Sequence, residues 1–372
     1  MQTIDLSDLP PSRAVQTLTR MASDIQSSFD LARPPLIKMT LFRLSDGDRL
    51  FIVMHHLLGD AVSWRIILED LQSVYEQCLA GKTICLPQKS HPFPVWAKAL
   101  EKYAREDELQ REKTYWMEII NYPAGRLPSD IKEEKREGTI MERVPVENTQ
   151  MEGSLIGDMD QITMDWDMDQ TRALINSARS TGRGLDRLLL AALARACRCE
   201  HGKSATLISL ESHGRVELFD HIDISRTVGW FTSQFPMIIE APDDEEDHEV
   251  AIQTINRTLK RIPNMGIGWG ILKYLATEKT LQHPTPGEND TNPDINFNYL
   301  GEFEAYGEGF FQPSKESTGP SVSDKASVIH HLDINGVIAD KRLYMIWHFN
   351  KKRFSRVRIE TMIKNFSRQL EK

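Results

Sequence analysis

Residues 55–64 read His-His-Leu-Leu-Gly-Asp-Ala-Val-Ser-Trp and lie between a strand pattern and a helix pattern. The apolar runs at 36–44 and 50–54 are separated by a segment with an Asp-Gly pair at 46–47, which is typical of a β-hairpin. After Asp60 the apolar residues recur at steps of three and four, which indicates a helix. The sequence therefore predicts that a buried strand ends at paired histidines and that a helix follows.

The paired histidines predict one functional imidazole at most. Because successive strand side chains point to opposite faces, only one of His55 and His56 can face a given cavity, and the other is structural. A buried imidazole that is held by backbone groups is the plain alternative for either residue. Asp60 lies where the helix starts, so its carboxylate is placed to cap the helix or to hold a side chain rather than to transfer protons.

A second strand pattern ends in polar residues further along the chain. Residues 205–210 are mostly apolar and predict a central strand, and the pentapeptide Glu-Ser-His-Gly-Arg at 211–215 follows directly. The preceding segment, 185–196, is almost entirely small or apolar, which indicates a buried helix. On these residues alone, Glu211 is either an exposed strand end or the ion-pair partner of Arg215.

The composition excludes several classes of protein. The chain has 372 residues, a formal charge of −9 and no basic stripe, so nucleic acid is not expected as a partner. It shows no signal-peptide pattern and no apolar run that could span a bilayer, which predicts a cytoplasmic protein without membrane contact. Cys197, Cys199 and His201 are close in sequence, but they lack a second ligand pair, so no metal site is expected.

Length and patterning predict two lobes. A chain of 372 residues, of which 40% are hydrophobic, can form two cores of roughly 150–200 residues each. Residues 130–160 are polar and lack periodicity, so they are the predicted linker or surface loop. The acidic cluster at 243–247 is a predicted solvated turn. We place an N-terminal lobe at 1–160 and a C-terminal lobe at 161–372.

Five motifs occur in an order that resembles one protein family. Residues 55–61 resemble the His-His-x-x-x-Asp-Gly motif of the condensation and chloramphenicol acetyltransferase-like superfamily, and 210–215 are similar to the Glu-Gly-His-Gly-Arg motif of epimerization domains. The other three are Asp-Ile-Ser-Arg-Thr-Val-Gly-Trp-Phe-Thr-Ser at 223–233, Pro-Asn-Met-Gly-Ile-Gly-Trp-Gly at 263–270 and Phe-Asn-Tyr-Leu-Gly at 297–301. Over essentially its whole length the chain resembles an epimerization domain of a nonribosomal peptide synthetase.

The resemblance implies a fold and a set of site residues. The fold would be α/β, with two chloramphenicol acetyltransferase-like lobes in a V-shaped arrangement and a central tunnel that the second histidine faces. The implied catalytic residues are His56, Glu211, Asn298 and Tyr299. The residues implied to support the site are His55, Asp60 and Arg215. A guanidinium is effectively never deprotonated, which favours a structural role for the arginine.

The implied activity is epimerization, from L to D, of the α-carbon of an aminoacyl or peptidyl thioester. The substrate would be delivered on the 4′-phosphopantetheine of a peptidyl carrier domain, with adjoining adenylation and condensation domains as further partners. The enolate of a thioester spreads its charge onto the carbonyl oxygen. Two proton-carrying groups and a donor to that oxygen therefore suffice, and no bound cofactor is expected.

Three departures from the family pattern bear on these expectations. Ala61 stands where the family usually has glycine, which would strain the turn if that position needs a positive φ. Ser212 replaces the first glycine of the second motif and adds a hydroxyl beside Glu211. Family members also open with a strand, a helix and a further motif that would precede Met1, so an N-terminally shortened lobe is expected.

Two other functions fit part of the pattern. In a condensation domain, His56 would position an amine that attacks an upstream thioester, but peptide-bond formation does not need Glu211 or the Asn298-Tyr299 pair. A non-catalytic module that only docks a carrier protein would suit a shortened lobe. Hydrogen exchange at the α-carbon of a carrier-bound thioester separates epimerization from both alternatives.

Overall fold

The computed structural model describes residues 1–131, 154–180, 182, 184–242, 248–276, 292–303 and 310–371. The chain divides into two compact units, each discontinuous in sequence. Unit 1 comprises Met1–Trp96, Phe219–Phe231 and Ala305–Ser323, and unit 2 comprises Ala97–Leu218, Thr232–Glu304 and Asp324–Lys372. The lobe boundary expected between residues 160 and 161 stays a prediction. The acidic turn and most of the linker that the sequence predicts lie outside the described residues.

Unit 1 contains a three-stranded sheet with β2 in the middle. The strands are β1 (Gln2–Asp5), β2 (Ile37–Leu44) and β3 (Gly47–Met54). β1 runs parallel to β2, and β2 and β3 form the predicted hairpin, because Leu44 pairs with Gly47 across a two-residue loop. β3 is half-buried and forms an edge of the sheet, whereas the sequence predicts a buried strand at this position.

Helices α1 (Pro11–Ser27) and α2 (Ala61–Leu79) of unit 1 follow from local sequence signals. α1 starts at a proline, whose fixed φ suits the first helical turn. Its apolar stripe, which includes Ala14 and Leu18, forms one core cluster with Phe42 of the sheet. α2 starts directly after Asp60, as the change of period predicts.

Unit 2 contains a six-stranded mixed sheet in the order β4-β9-β8-β7-β5-β6. The strands are β4 (Met159–Trp166), β5 (Ala205–Ser212), β6 (Ser233–Glu240), β7 (Ile295–Phe303), β8 (Leu332–Ala339) and β9 (Arg342–Asn350). β7 is parallel to both β5 and β8, whereas the other pairs are antiparallel. The predicted central strand is confirmed, because β5 is an inner strand and its first six residues are buried.

Further helices are α3 (Phe93–Tyr103), α4 (Asp107–Ile120), α5 (Met168–Ser180), α6 (Leu185–His201), α7 (His248–Arg261), α8 (Ile267–Tyr274) and α9 (Arg356–Leu370). α3 and α4 are separate helices, because Glu106 adopts an extended conformation between them. Across the part of the chain that the structure describes, no helix is long and apolar enough to cross a membrane.

The predicted buried helix is α6, which packs against α7 and α9. Its positions 188–197 are buried without interruption. On one side of the unit 2 sheet, the ring centroid of Trp347 in β9 lies 5.4 Å from that of Phe366 in α9. Because strand side chains alternate, the other side of β5, β7 and β8 is free to carry polar residues.

Candidate active site

The turn at His55 and His56 follows β3 and gives the two rings different neighbours. His55 Nδ1 accepts the backbone N–H of Leu57 at 3.2 Å, and its ring lies edge-on to Phe29 with 6.3 Å between centroids. His56 is exposed, and its ring centroid lies 4.6 Å from that of Trp230. Unit 1 therefore brings the first motif together with the motif that contains Trp230.

Asp60 joins the same two motifs through its buried carboxylate. Oδ1 accepts the backbone N–H of Ser63 at 2.8 Å and so caps α2, while Oδ2 accepts the backbone N–H of Phe231 at 3.1 Å. The Ser63 hydroxyl lies 2.8 Å from Asp60 Oδ1 and accepts the N–H of Gly229 at 3.1 Å. These bonds hold the loop that carries Trp230.

Ala61 occupies a position where alanine fits. It is the first residue of α2. Among the described residues other than glycine, a positive φ occurs only at Asn264, Met265, Asp340 and Lys341. The strain that a left-handed conformation would impose on Ala61 is therefore absent. Gly214, in contrast, has φ +65°, a conformation that favours glycine and accounts for this residue in the second motif.

Glu211 lies near the end of β5, and both of its carboxylate oxygens accept hydrogen bonds from β7. Asn298 Nδ2 donates to Oε2 at 2.8 Å, and Asn296 Nδ2 donates to Oε1 at 2.9 Å. The parallel register pairs Leu210 with Phe297, so Glu211 shares a sheet face with the two asparagines. Hydrogen bonds of this kind orient a carboxylate and favour its ionised form.

Asn296 extends this cluster across the sheet. Its Nδ2 also donates to Asp333 Oδ1 at 2.8 Å, and its Oδ1 accepts Gln234 Nε2 at 2.9 Å. One amide thus bridges two carboxylates on different strands. Asn296, Asp333 and Gln234 were not predicted from the sequence. The alternation of Asn296 with Asn298 was the available signal, because strand residues two apart share a face.

Tyr299 lies on the other face of β7 from Asn298. It pairs with Gly336 of β8, and a side chain on that glycine would come within 3.0 Å of the tyrosine ring. Burial, followed by the carboxylates of Asp186 and Glu302, raises the pKa of Tyr299 to about 12, so its hydroxyl stays protonated at neutral pH. The structure therefore groups Asn298, but not Tyr299, with the carboxylate near the end of β5.

The residues that follow Glu211 turn away from the strand. Ser212 is the last residue of β5 and pairs with Ser233, so alternation puts its side chain on the opposite face from Glu211 rather than beside the carboxylate. The backbone N–H of Arg215 donates to His213 Nδ1 at 3.0 Å. This bond closes a short turn after the strand.

The cysteines of the Cys-x-Cys-x-His cluster lie in the last turns of α6. Cys197 is buried, and burial raises the pKa of its thiol to about 12, whereas Cys199 is exposed. His201 Nε2 lies 2.9 Å from Thr206 Oγ1, and burial lowers the pKa of this histidine. Within the described ranges, no group of three or more His, Cys, Asp and Glu side chains is arranged to hold a metal ion.

Comparison with known proteins identifies the family. The family model described as Condensation domain matches residues 1–372, the whole chain. A mycosubtilin synthase protein from Bacillus subtilis is 36% identical over 369 residues, covering 97% of this chain and 13% of that protein. A linear gramicidin synthase protein from Brevibacillus parabrevis is 35% identical over 371 residues, covering 98% of this chain and 4% of that protein. The chain therefore spans only a small part of these relatives.

Solved structures show the same fold. The epimerization domain from the third module of tyrocidine synthetase B has a TM-score of 0.84 and 30% identity, over 100% of this chain and 78% of that chain. The first condensation domain of the CDA synthetase has a TM-score of 0.60 and 16% identity, over 100% of this chain and 74% of that chain. At the lower identity the likeness concerns the fold alone.

The two sheets and their helices define a mixed α/β protein of the chloramphenicol acetyltransferase-like class, as the resemblance predicts. The chain belongs to the condensation-domain family of nonribosomal peptide synthetases. Condensation and epimerization domains share this fold, so the site residues decide between the two activities.

Proposed function

We propose that the chain is an epimerization domain that inverts the α-carbon of an aminoacyl or peptidyl thioester from L to D. The observation that carries the proposal is the Glu211 carboxylate, whose two oxygens each accept an amide N–H from β7. A carboxylate held in this way is a proton acceptor of defined position. Peptide-bond formation does not require it, whereas inversion requires a second proton carrier besides a histidine.

Inversion removes a proton from one face of the α-carbon and delivers a proton to the other. Abstraction breaks the Cα–H bond and leaves its electron pair in the enolate, whose charge spreads onto the thioester oxygen. Delivery from the opposite face then forms the new Cα–H bond. The reaction needs one proton carrier for each face and a hydrogen-bond donor at the enolate oxygen.

The proposed proton carriers are His56 and Glu211. Asn298 orients the Glu211 carboxylate through its 2.8 Å hydrogen bond. The catalytic role that the resemblance implies for Tyr299 is not part of the proposal, because its side chain lies on the opposite face of β7 from Asn298. The proposed supporting residues are His55, Asp60 and Arg215.

The proposed partner is a peptidyl carrier domain that delivers the thioester on its 4′-phosphopantetheine arm. Adenylation and condensation domains are the proposed neighbours, and the cytoplasm is the proposed location. The relatives support this organisation, because the chain covers only 13% and 4% of the mycosubtilin and linear gramicidin synthase proteins. Side chains can supply both proton transfers, so the scheme uses no cofactor bound by this chain.

Peptide-bond formation is the second candidate function. The matching family model is named for the condensation domain, and His56 is the residue that would position the attacking amine. In that reaction Glu211 has no proton to transfer. The two functions therefore differ in whether the α-hydrogen of the substrate exchanges with water.

The test uses alanyl, leucyl and phenylalanyl thioesters of both configurations, loaded on a carrier domain and incubated with the protein in deuterated water. The wild-type chain should incorporate deuterium and invert the α-carbon. Glu211→Gln should abolish inversion and retain exchange from one enantiomer only, because His56 still removes and returns a proton on its own face. His56→Ala should retain, at most, exchange from the other enantiomer.

Glu217→Gln is the matched control, because Glu217 is an exposed glutamate a few residues further along the chain. It should exchange and invert like the wild type. Formation of a peptide bond with a second aminoacyl thioester, without deuterium uptake at the α-carbon, would contradict the proposal and support condensation. Absence of both reactions would leave a docking module as the remaining function.

A further inference from the structure

A single buried amide lies between two carboxylates on the sheet of unit 2. Asn296 is 4% exposed, and its Nδ2 donates to Glu211 Oε1 at 2.9 Å and to Asp333 Oδ1 at 2.8 Å. Its Oδ1 accepts Gln234 Nε2 at 2.9 Å. Both amide hydrogens are therefore directed at carboxylate oxygens, and the amide oxygen is also engaged.

The strand pairing of β7 imposes this arrangement. Asn296 lies opposite Ser209 in β5 and opposite Asp333 in β8, so its side chain and that of Asp333 share one face of the sheet. Asn335 Nδ2 donates to Asp333 Oδ2 at 3.1 Å and holds this carboxylate from its other side. A rotation of the Asn296 amide by half a turn would place its oxygen against two carboxylate oxygens. The two carboxylates therefore favour the observed orientation of the Asn296 amide.

We infer that Asn296 is a positioning residue for Glu211: its amide keeps the carboxylate oriented and ionised for proton abstraction, and Asp333 keeps the amide oriented. The inference rests on the proposed epimerization, in which Glu211 is a proton carrier. Asn298 donates to Oε2, so the donor at Oε1 is a separate contribution. An amide N–H binds a carboxylate more strongly than it binds the protonated acid, so it stabilises the ionised form.

Other titratable groups face the same cluster from neighbouring elements. His348 of β9 pairs with Asp333, and His330, just before β8, has its Nε2 3.1 Å from Gln234 Nε2. Burial lowers the pKa of His330, and β6 contributes the uncharged Gln234. These groups face the cluster whichever enantiomer is bound. A change in pH dependence that is confined to one enantiomer therefore belongs to Glu211.

The test measures the pH profile of α-hydrogen exchange separately for the L and D forms of a phenylalanyl thioester on a carrier domain. Asn296→Ala removes a donor to the ionised carboxylate, so protonation of Glu211 begins at higher pH. The acid limb of the profile should move to higher pH by about one unit. This shift should occur only for the enantiomer that Glu211 deprotonates. The rate on the alkaline side of that limb should fall much less.

Asp333→Asn should act with the opposite sign. The substitution keeps an oxygen that can accept the Asn296 N–H, but it removes a like charge near Glu211. The acid limb for the same enantiomer should therefore move to lower pH. The substitution is nearly isosteric, so it decides the question even where Asn296→Ala fails to fold: a downward shift supports the inference, and an unchanged limb overturns it.

Asn350→Ala is the matched control. Asn350 is 1% exposed in β9 and donates to Ser154 Oγ at 2.8 Å, so it is equally buried but belongs to another hydrogen-bonded group. The Asn350→Ala substitution should lower the stability of the protein and leave the acid limb of the exchange profile unchanged for both enantiomers. A folded Asn296→Ala protein with unchanged limbs, or with equal shifts for both enantiomers, overturns the inference. A wild-type chain that exchanges neither enantiomer at any pH overturns the proposed function itself.

Discussion

Among single residues, Asp60 has the clearest structural task. Its carboxylate accepts the backbone N–H groups of Ser63 and Phe231, both of which are buried. Asp60→Ala would remove the cap of α2 and leave two buried donors without this acceptor. We expect the free energy of unfolding to fall by about 2–4 kcal/mol, measured by urea denaturation.

Asp8→Ala is the control for that measurement. Asp8 is exposed, so its replacement should change the free energy of unfolding by less than about 0.5 kcal/mol. Equal losses for the two variants would show that the hydrogen bonds of Asp60 add nothing to stability.

Among the elements, helix α8 contains two glycines in contrasting surroundings. A Cβ at Gly268 would lie 1.9 Å from Glu112 Oε2, whereas a Cβ at Gly270 would meet no atom within 4 Å. Glu112 cannot easily withdraw, because Asn264 Nδ2 and Trp116 Nε1 donate to its two oxygens at 2.8 and 3.2 Å. The same substitution should therefore have opposite effects two residues apart.

Gly268→Ala should destabilise the protein by about 1–3 kcal/mol through overpacking. Gly270→Ala should leave stability unchanged or raise it by up to about 1 kcal/mol, because alanine is the better helix former. Thermal and urea unfolding of the two variants provide the comparison. Destabilisation of similar size in both variants would show that the contact with Glu112 does not limit the size of the side chain at position 268.

Within unit 1, an ion pair whose strength depends on pH joins the segment around Glu316 to β3. Arg49 Nε and Nη2 donate to Glu316 Oε1 at 3.1 and 2.9 Å, and these hydrogen bonds, followed by one from Ser314, lower the pKa of Glu316 from 4.5 to about 2. A carboxylate whose pKa is lower in the folded state stabilises the fold above its unfolded pKa. That contribution is lost as the pH falls from about 4.5 to about 2.

The wild type should therefore lose more stability than Glu316→Gln over that interval, by about 1–2 kcal/mol after allowance for solvent screening. Urea denaturation at pH 6, 4 and 3 gives the two curves. Glu101→Gln, at an exposed glutamate, should follow the wild-type curve. Parallel curves for wild type and Glu316→Gln would contradict the assigned role of the ion pair.

Local signals in the sequence predicted several elements, whereas features that depend on pairing between distant strands could not be predicted from local signals. The hairpin of β2 and β3 and the start of α2 depend on turn and cap residues within a few positions, so the sequence predicts them directly. The grouping of Glu211 with Asn298 depends on parallel pairing of β5 with β7 across more than eighty residues. Only the family resemblance suggested it, and Asn296 was missed.

For the whole molecule, family membership and activity rest on different observations. The condensation-domain model matches the entire chain, and condensation and epimerization domains both superpose on it. The proposed activity instead depends on a few side chains, above all Glu211 with its two amide donors. Substitution of this carboxylate should therefore remove the activity while the fold, followed by circular dichroism, is retained.

Net inversion of a carrier-bound aminoacyl thioester, followed from both enantiomers, is the direct test of whether this chain is an epimerization domain that uses Glu211. After cleavage of the thioester, chiral chromatography gives the L and D fractions over time. Epimerization through Glu211 predicts that the wild type converts either enantiomer to the same mixture, and that Glu211→Gln leaves each enantiomer in its starting configuration. A wild type that forms peptide bonds and preserves configuration, or a Glu211→Gln protein that inverts at the wild-type rate, would contradict it.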